Sequence, residues 1–476
     1  MGTFSVGETK TRPGVYHRYE NAGGVSTAGA NNGICAGVIQ ANWGPLCEVV
    51  TFDQSTSVKD TYGSGLTEDL ITYMMKAGNN TGYFVRVGNG GSCGTVTLTD
   101  DAVDAVEAVT LTAKYVGARE FTVSIRDSLA DDSIRQCIIY DGTSTFETVE
   151  FEKDAEDGEA AALVAAFESS ENFYATLVDN GSGVLAAVTQ QAFTAGENPT
   201  VDSDAYSDAM DELEPYAWNV LCVDTEDVAI HALVQTFIDR IWETGSYPMA
   251  VISECNSTDN NVATRMATAA TYNDSKIIYV LNGGVDTSGN VIEGYQNAAR
   301  IGGIIAYVPA NQSVTHYVVS GYAKLSQTLT NTQIIAALKA GCLVLDTNSS
   351  GQVWIEQGLN TLITPSAEED EGWKKIRRVK TRFELMQRID DTIDVLIGKI
   401  NNDTDGRAAV IAAGNAVIKK MIAEGKLMDG TEMYEDESNP AEGESAWFII
   451  AVDDIDSLEK IYLNYHFRFA ATDDDE

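Results

Sequence analysis

The sequence predicts a multidomain chain that joins an α/β body to an α+β C-terminal part, and three observations carry that prediction. Its 476 residues exceed a single ordinary domain of about 100–200 residues. Between residues 202 and 364, short apolar runs alternate with stretches whose apolar side chains recur at helical spacing, as strands separated by helices do. Composition then shifts after Gly88-Asn89-Gly90-Gly91. Residues 101–215 hold 25 acidic and 5 basic side chains, so a net −20 of the chain's −40 falls in about a quarter of its length.

Taken in order, the chain opens on an arm-like segment. Thr11-Arg12-Pro13-Gly14-Val15-Tyr16-His17-Arg18-Tyr19 alternates polar with aromatic or branched residues after a Pro-Gly turn signal, and a polar Gly/Asn/Ser-rich loop follows. Residues 34–40 read as a strand. A helix over 66–77 has Thr67 as its N-cap, acidic residues at its positive end and Gly78 past its other end. Tyr83-Phe84-Val85-Arg86-Val87 is a further strand. The acidic stretch shows short strands over 95–99, 122–125, 136–140 and 147–151, and reads as a separate, solvent-facing, β-rich insert. The α/β stretch holds strands over 220–223, 249–252, 276–281, 343–345 and 353–356, with helices over 227–242 and 297–306. After the acidic hinge Glu368-Glu369-Asp370-Glu371, a helix is expected over 373–400 and another over 407–424. The chain then closes on an alternating strand in which Ile461, Leu463, Tyr465, Phe467 and Phe469 share one face.

Composition excludes several functions. A chain with 31 cationic and 71 acidic side chains is repelled by nucleic-acid phosphates and by anionic membrane surfaces. No run of about 18 apolar residues occurs, and the first residues show no secretory signal, so cytoplasmic synthesis is expected. The seven scattered cysteines suit buried, reduced thiols better than a disulfide framework.

Tests for chemistry fail one by one. The four histidines, His17, His231, His316 and His466, have no Gly-x-Ser-x-Gly elbow to serve. Phosphate-loop and zinc motifs are missing. Asn401-x-Asp403-x-Asp405-Gly406 imitates half of a calcium loop, but Ala412 stands where a closing glutamate is needed, so it reads as a turn between helices. We therefore expect no catalytic set, no metal and no cofactor.

Two features do point to function. Lys374, Lys375, Arg377, Arg378, Lys380 and Arg382 put six cations and no anion into ten residues of an acidic chain. That cluster is either a solvated helix face or a docking surface for an acidic partner. The strand-like segments at both termini either join their own sheet or add to another subunit's sheet through main-chain hydrogen bonds.

At this point a family resemblance can be stated. The segments that carry it are Arg12-Pro13-Gly14-Val15-Tyr16, Tyr83 to Val87, and Ala299-Arg300-Ile301-Gly302-Gly303-Ile304-Ile305-Ala306 with Pro309-Ala310-Asn311-Gln312-Ser313-Val314-Thr315. Ala340-Gly341-Cys342-Leu343-Val344-Leu345, Ile355-Glu356-Gln357-Gly358-Leu359-Asn360-Thr361-Leu362, and Ile397-Gly398-Lys399-Ile400-Asn401-Asn402 with Gly406-Arg407 continue it. In their order and spacing these resemble contractile phage tail sheath proteins, including those of phage-tail-like bacteriocins, over nearly the whole chain.

The resemblance implies an N-terminal arm at 1–25, a first core segment at 26–90 and a β-sandwich-like insert at 91–201. It further implies a subtilisin-like α/β domain without a catalytic triad at 202–365, and a C-terminal α+β domain with a strand-forming arm at 366–476. It also implies stacked hexameric rings around a tail tube, contraction that drives the tube through a target envelope, and contacts to tube, baseplate and tail terminator proteins in a virion tail or released bacteriocin particle. On that reading Val15, Tyr16, His17, Ile461, Leu463, Tyr465, Phe467 and Phe469 exchange strands between subunits, and the six cations face the tube. A secreted acidic surface-layer protein and a subtilase-like hydrolase are the alternatives.

Overall fold

The computed structural model describes residues 33–255, 261–367 and 369–467, together with the backbone of residues 2–3 and 16–17. The chain divides into two compact units, Asn31–Phe383 with Asp456–Glu476, and Glu384–Ile455 with Met1–Ala30. This division falls inside the helix Ile376–Asp394, which contributes to two cores. Ile376, Val379 and Phe383 are buried with the α/β body, whereas Leu385 and Ile389 are buried with the C-terminal helices.

The α/β body is built on a seven-stranded sheet. Its order is Cys342–Leu343, Ile277–Val280, Met249–Ser253, Val220–Val223, Ile34–Ile39, Thr81–Arg86 and Val49–Phe52. All neighbours pair in parallel except the edge strand Val49–Phe52. The central strands are apolar and buried on both faces, as parallel strands covered by helices must be. Period two sorts their side chains. Cys35, Val220, Cys222, Met249, Val251 and Ile278 enter one core, while Ala36, Leu221, Val223, Ala250, Ile252 and Ile277 enter the other. The helix Gly294–Tyr307 covers the first face and Val228–Glu243, N-capped by Asp227, covers the second. Gly303 lets the first of these lie backbone to backbone on the helix Asp69–Met75, since a Cβ there would stand 2.1 Å from the Met74 carbonyl oxygen.

The acidic insert consists of two antiparallel sheets around one core. One sheet has the order Ser144–Glu152, Ile134–Asp141, Thr122–Asp127, Val188–Ala192, and the other Phe173–Leu177, Glu107–Val116, Cys93–Thr99. The helix Glu159–Phe167 closes the core with Leu163 and Phe167. One side chain of the body enters that core. Trp43, from the loop after the strand Ile34–Ile39, is 2% exposed and lies inside the insert's aromatic core. Its ring centroid lies 5.2 Å from Tyr115 and 5.0 Å from Phe121, both edge-on. Arg86 reinforces the seam by donating to the carbonyls of Ala41, Gly44 and Val116.

In the other unit, the helix Thr404–Ala423 packs Val410, Val417, Ile418 and Met421 against Leu385, Ile389 and the hairpin Glu432–Glu435/Phe448–Ala451. The calcium-like loop is a helix cap, because Asp403 Oδ1 accepts from Gly406 N. Arg388, Glu384, Glu424 and Lys426 form a buried ion network beneath that helix.

Candidate inter-subunit surface

The expected C-terminal strand is not formed. Residues 461–467 carry no strand among the described residues, and both faces are open: Ile461 is 68% exposed, Tyr462 90% and Phe467 88%. Leu463 and Tyr465 are exposed as well. The reason is physical. An alternating segment becomes a strand only when a neighbour satisfies its N–H and C=O groups, and no described part of this chain pairs with it. Five large apolar side chains in seven residues therefore stand in water. Phe469 lies outside the described residues, as does Val15. Tyr16–His17 pairs in parallel with Gly2–Thr3 in a two-stranded sheet.

The arm leaves the α/β body from a built anchor. Glu459, with its side chain 10% exposed, accepts at Oε1 from Thr315 Oγ1 at 3.0 Å and Ser313 Oγ at 3.4 Å. Its Oε2 accepts from Gln357 Nε2 at 2.9 Å and lies 3.3 Å from Lys375 Nζ. Lys375 also meets Asp456 at 2.7 Å, and Arg377 Nη1 donates to Ser457 Oγ at 2.9 Å.

These contacts decide where the six cations go. Lys374 pairs with Glu371, Lys375 with Asp456 and Glu459, and Arg377 with Ser457. Arg382 forms a two-pronged pair with Asp370, which Arg378 joins at 3.7 Å. The Arg382 hydrogen bonds hold the Asp370 carboxyl below the ordinary carboxylate range. Lys380 donates to the Ile305 and Val308 carbonyls at the end of the helix Gly294–Tyr307. Each of the six thus has a partner within the chain, and the cluster is committed there rather than presented as a bare charged face. Lys374 and Lys375 also precede the helix, which starts at Ile376 and not at 373. Asn360 is the cause: its backbone N donates to the Lys374 carbonyl and its side chain to the Trp373 carbonyl, and both are lost to helix pairing.

The hairpin of the C-terminal unit has one closed and one open edge. Asn415 bonds both Met433 N and Met433 O, which closes the outer edge of Glu432–Glu435. No described residue pairs with the outer edge of Phe448–Ala451. Trp447, Ile449 and Val452 are exposed there, with Tyr434 on the other strand. An open edge of this kind is a template for one more strand.

Sequence reasoning missed the anchor because Ser313, Thr315, Gln357 and Glu459 come from three distant stretches. One signal was available: Asp453, Asp454, Asp456 and Glu459 supply, just ahead of the apolar arm, the anions that the basic stretch lacks.

Elsewhere, chemistry-bearing residues are tied into the fold. His231 is buried, with Nε2 2.9 Å from the Thr225 carbonyl, and His316 stacks on Trp354 at 3.8 Å. Asp224 is buried and accepts from Thr67, Tyr206 and Gln40 N, and burial raises its pKa. All seven cysteines are free; burial pushes the Cys35 and Cys342 thiols up to about 12. Among the described residues no helix is long and apolar enough to cross a membrane, and no group of three or more His, Cys, Asp or Glu could hold a metal ion.

Comparison with known proteins points one way. The family described as "Phage tail sheath protein central domain" matches residues 200–361, and "Phage tail sheath C-terminal domain" matches residues 368–468. The chain is 24% identical over 277 residues to the tail sheath protein of Clostridium phage phiCD119, covering 53% of this chain and 73% of that one. Its fold matches the crystal structure of a sheath tail protein from Desulfitobacterium hafniense with a TM-score of 0.69 at 18% identity, over 93% of this chain and all of the other. It also matches the helical sheath of the anti-feeding prophage in its contracted state, with a TM-score of 0.55 at 10% identity, over 96% and 99% of the two chains.

Proposed function

The chain belongs to the phage tail sheath family, whose members are structural rather than enzymatic, and from that premise we propose that it polymerises around a tail tube by exchanging terminal strands. The observation that carries the proposal is the apolar arm 461–467, exposed and without a strand partner among the described residues, in a molecule whose hairpin offers an open edge at Phe448–Ala451. A second copy's arm laid on that edge would satisfy both sets of main-chain groups and cover Ile449, Trp447 and the arm's own aromatics. Val15, Tyr16 and His17 have the corresponding role at the N-terminal end.

The rest of the proposal follows the family. Hexameric rings stack into a sheath, contraction drives the tube through a target envelope, and tube, baseplate and tail terminator proteins are the partners. The chain is made in a bacterial cytoplasm and carried in a virion tail or bacteriocin particle. A subtilisin-like reading of the core is supported by its single, largely parallel sheet covered on both faces. A tube-facing role for Lys374, Lys375, Arg377, Arg378, Lys380 and Arg382 rests on their clustering, without an anion, in an otherwise acidic chain, and any contact they make to a tube would be salt-sensitive.

The test is a cross-link. In a background with the partly exposed Cys47, Cys93 and Cys255 replaced by serine, cysteines at Leu463→Cys and Ile449→Cys in one chain, joined by a short bis-maleimide, are expected to give covalent ladders of many subunits. Each single variant should give background only. Monomers internally joined, or no joining at all, would remove strand exchange from the account.

A further inference from the structure

Resting on that reading, we infer that Glu459 is the positioning residue of the C-terminal arm. Its pocket (Ser313, Thr315, Gln357 and Lys375) makes the arm move with the α/β body rather than with the C-terminal unit from which the chain has just emerged. The change of allegiance is abrupt. Residues up to Ile455 are bonded within the C-terminal unit: Met428 N donates to the Asp453 carbonyl and Ile455 N to the Lys426 carbonyl. From the next residue on, the side-chain contacts among the described residues are with the α/β body. Asp456 meets Lys375, Ser457 meets Arg377, and Glu459 meets two hydroxyls, an amide and an ammonium group. Beyond it, Lys460 and the arm are exposed.

The pocket is rigid where it needs to be. Thr315 Oγ1 also accepts from Gly358 N, which ties the loop of Ser313 to that of Gln357. The basic stretch that carries Lys375 is held by Asp370 on one side and, through Lys380, by the end of the helix Gly294–Tyr307 on the other. The cation cluster therefore acts as a knot that joins arm, hinge and core. A pull on residues 461–467 by a neighbouring copy enters the α/β body at Glu459. Such a fixed root limits the orientations the arm samples before pairing, and so lowers the entropy lost on assembly.

The test uses the full chain. Hydrogen exchange at residues 456–459 is measured on unassembled protein, and the critical concentration for polymer is measured by sedimentation, for the parent, Glu459→Ala, Glu459→Gln, Lys375→Ala and Lys375→Arg. Glu459→Ala is expected to speed exchange at 456–459 about tenfold or more, as loss of several charge-assisted hydrogen bonds implies, and to raise the critical concentration several-fold. Glu459→Gln and Lys375→Arg should each recover part of both effects. Unchanged exchange in Glu459→Ala overturns the anchor. Faster exchange with an unchanged critical concentration overturns its role in assembly. A parent chain that forms no polymer overturns the proposed function and the assembly role with it, while the exchange rates still decide the anchor.

Discussion

Removing residues 460–476 is expected to abolish polymerisation while leaving the fold intact. The described part of that segment, 460–467, is exposed and has no strand partner among the described residues, so its loss is expected to open no cavity in a core. The anchor at Glu459 stays, and the thermal unfolding midpoint should stay within a degree or two of the full chain. Assembly has no comparable reserve. Each subunit would lose a strand's main-chain bonds and five large apolar side chains, and repetition along a lattice multiplies that loss. Sedimentation velocity with circular dichroism checks both halves. Long polymers from the truncated chain would show that other surfaces hold the subunits together, and early unfolding would show that the arm serves its own chain.

The second large effect is expected at Trp43. Replacing it with alanine removes an indole that is almost wholly buried among Tyr115, Phe121, Phe146 and Phe173 and lies under the Arg119 guanidinium. Truncation of a buried aromatic of this size costs about 3–5 kcal/mol, a third or more of a typical domain's stability. Because Trp43 belongs to the body and its neighbours to the insert, Trp43→Ala should also loosen the seam held by Arg86. Urea unfolding followed by circular dichroism should show a lower midpoint, with a separate early transition for the insert. A loss below about 1 kcal/mol would mean that the insert core closes without the indole.

What could be read from residues alone follows from where their partners lie. The strands Val220–Val223, Met249–Ser253 and Ile277–Val280 were legible because burial on both faces forces continuous apolar runs. The helix Val228–Glu243 was legible because one face must repeat near every 3.6 residues, with Asp227 as its cap. Features set by distant partners were not. The alternation of Ile461, Leu463, Tyr465 and Phe467 is a strand pattern, yet no strand among the described residues lies beside it. The helix start slipped to Ile376 because Asn360, remote in sequence, takes two carbonyls. Six clustered cations looked bare because carboxylates that meet them, Asp456 and Glu459, lie some eighty residues on. Trp43 was not singled out, since nothing local in Asn42-Trp43-Gly44 marks it as the plug of another domain's core. The strand Glu107–Val116 went unread for a different reason: its pairs with Phe173–Leu177 and Cys93–Thr99 create its buried face.

The central claim is that copies of this chain build a sheath, and electron microscopy of the purified full-length protein, concentrated at moderate salt, tests it most directly. Hollow, regularly striated tubes or stacked rings are expected to form without any added tube protein. A monodisperse population of single chains at every concentration, with the arm still exposed to protease, would contradict it.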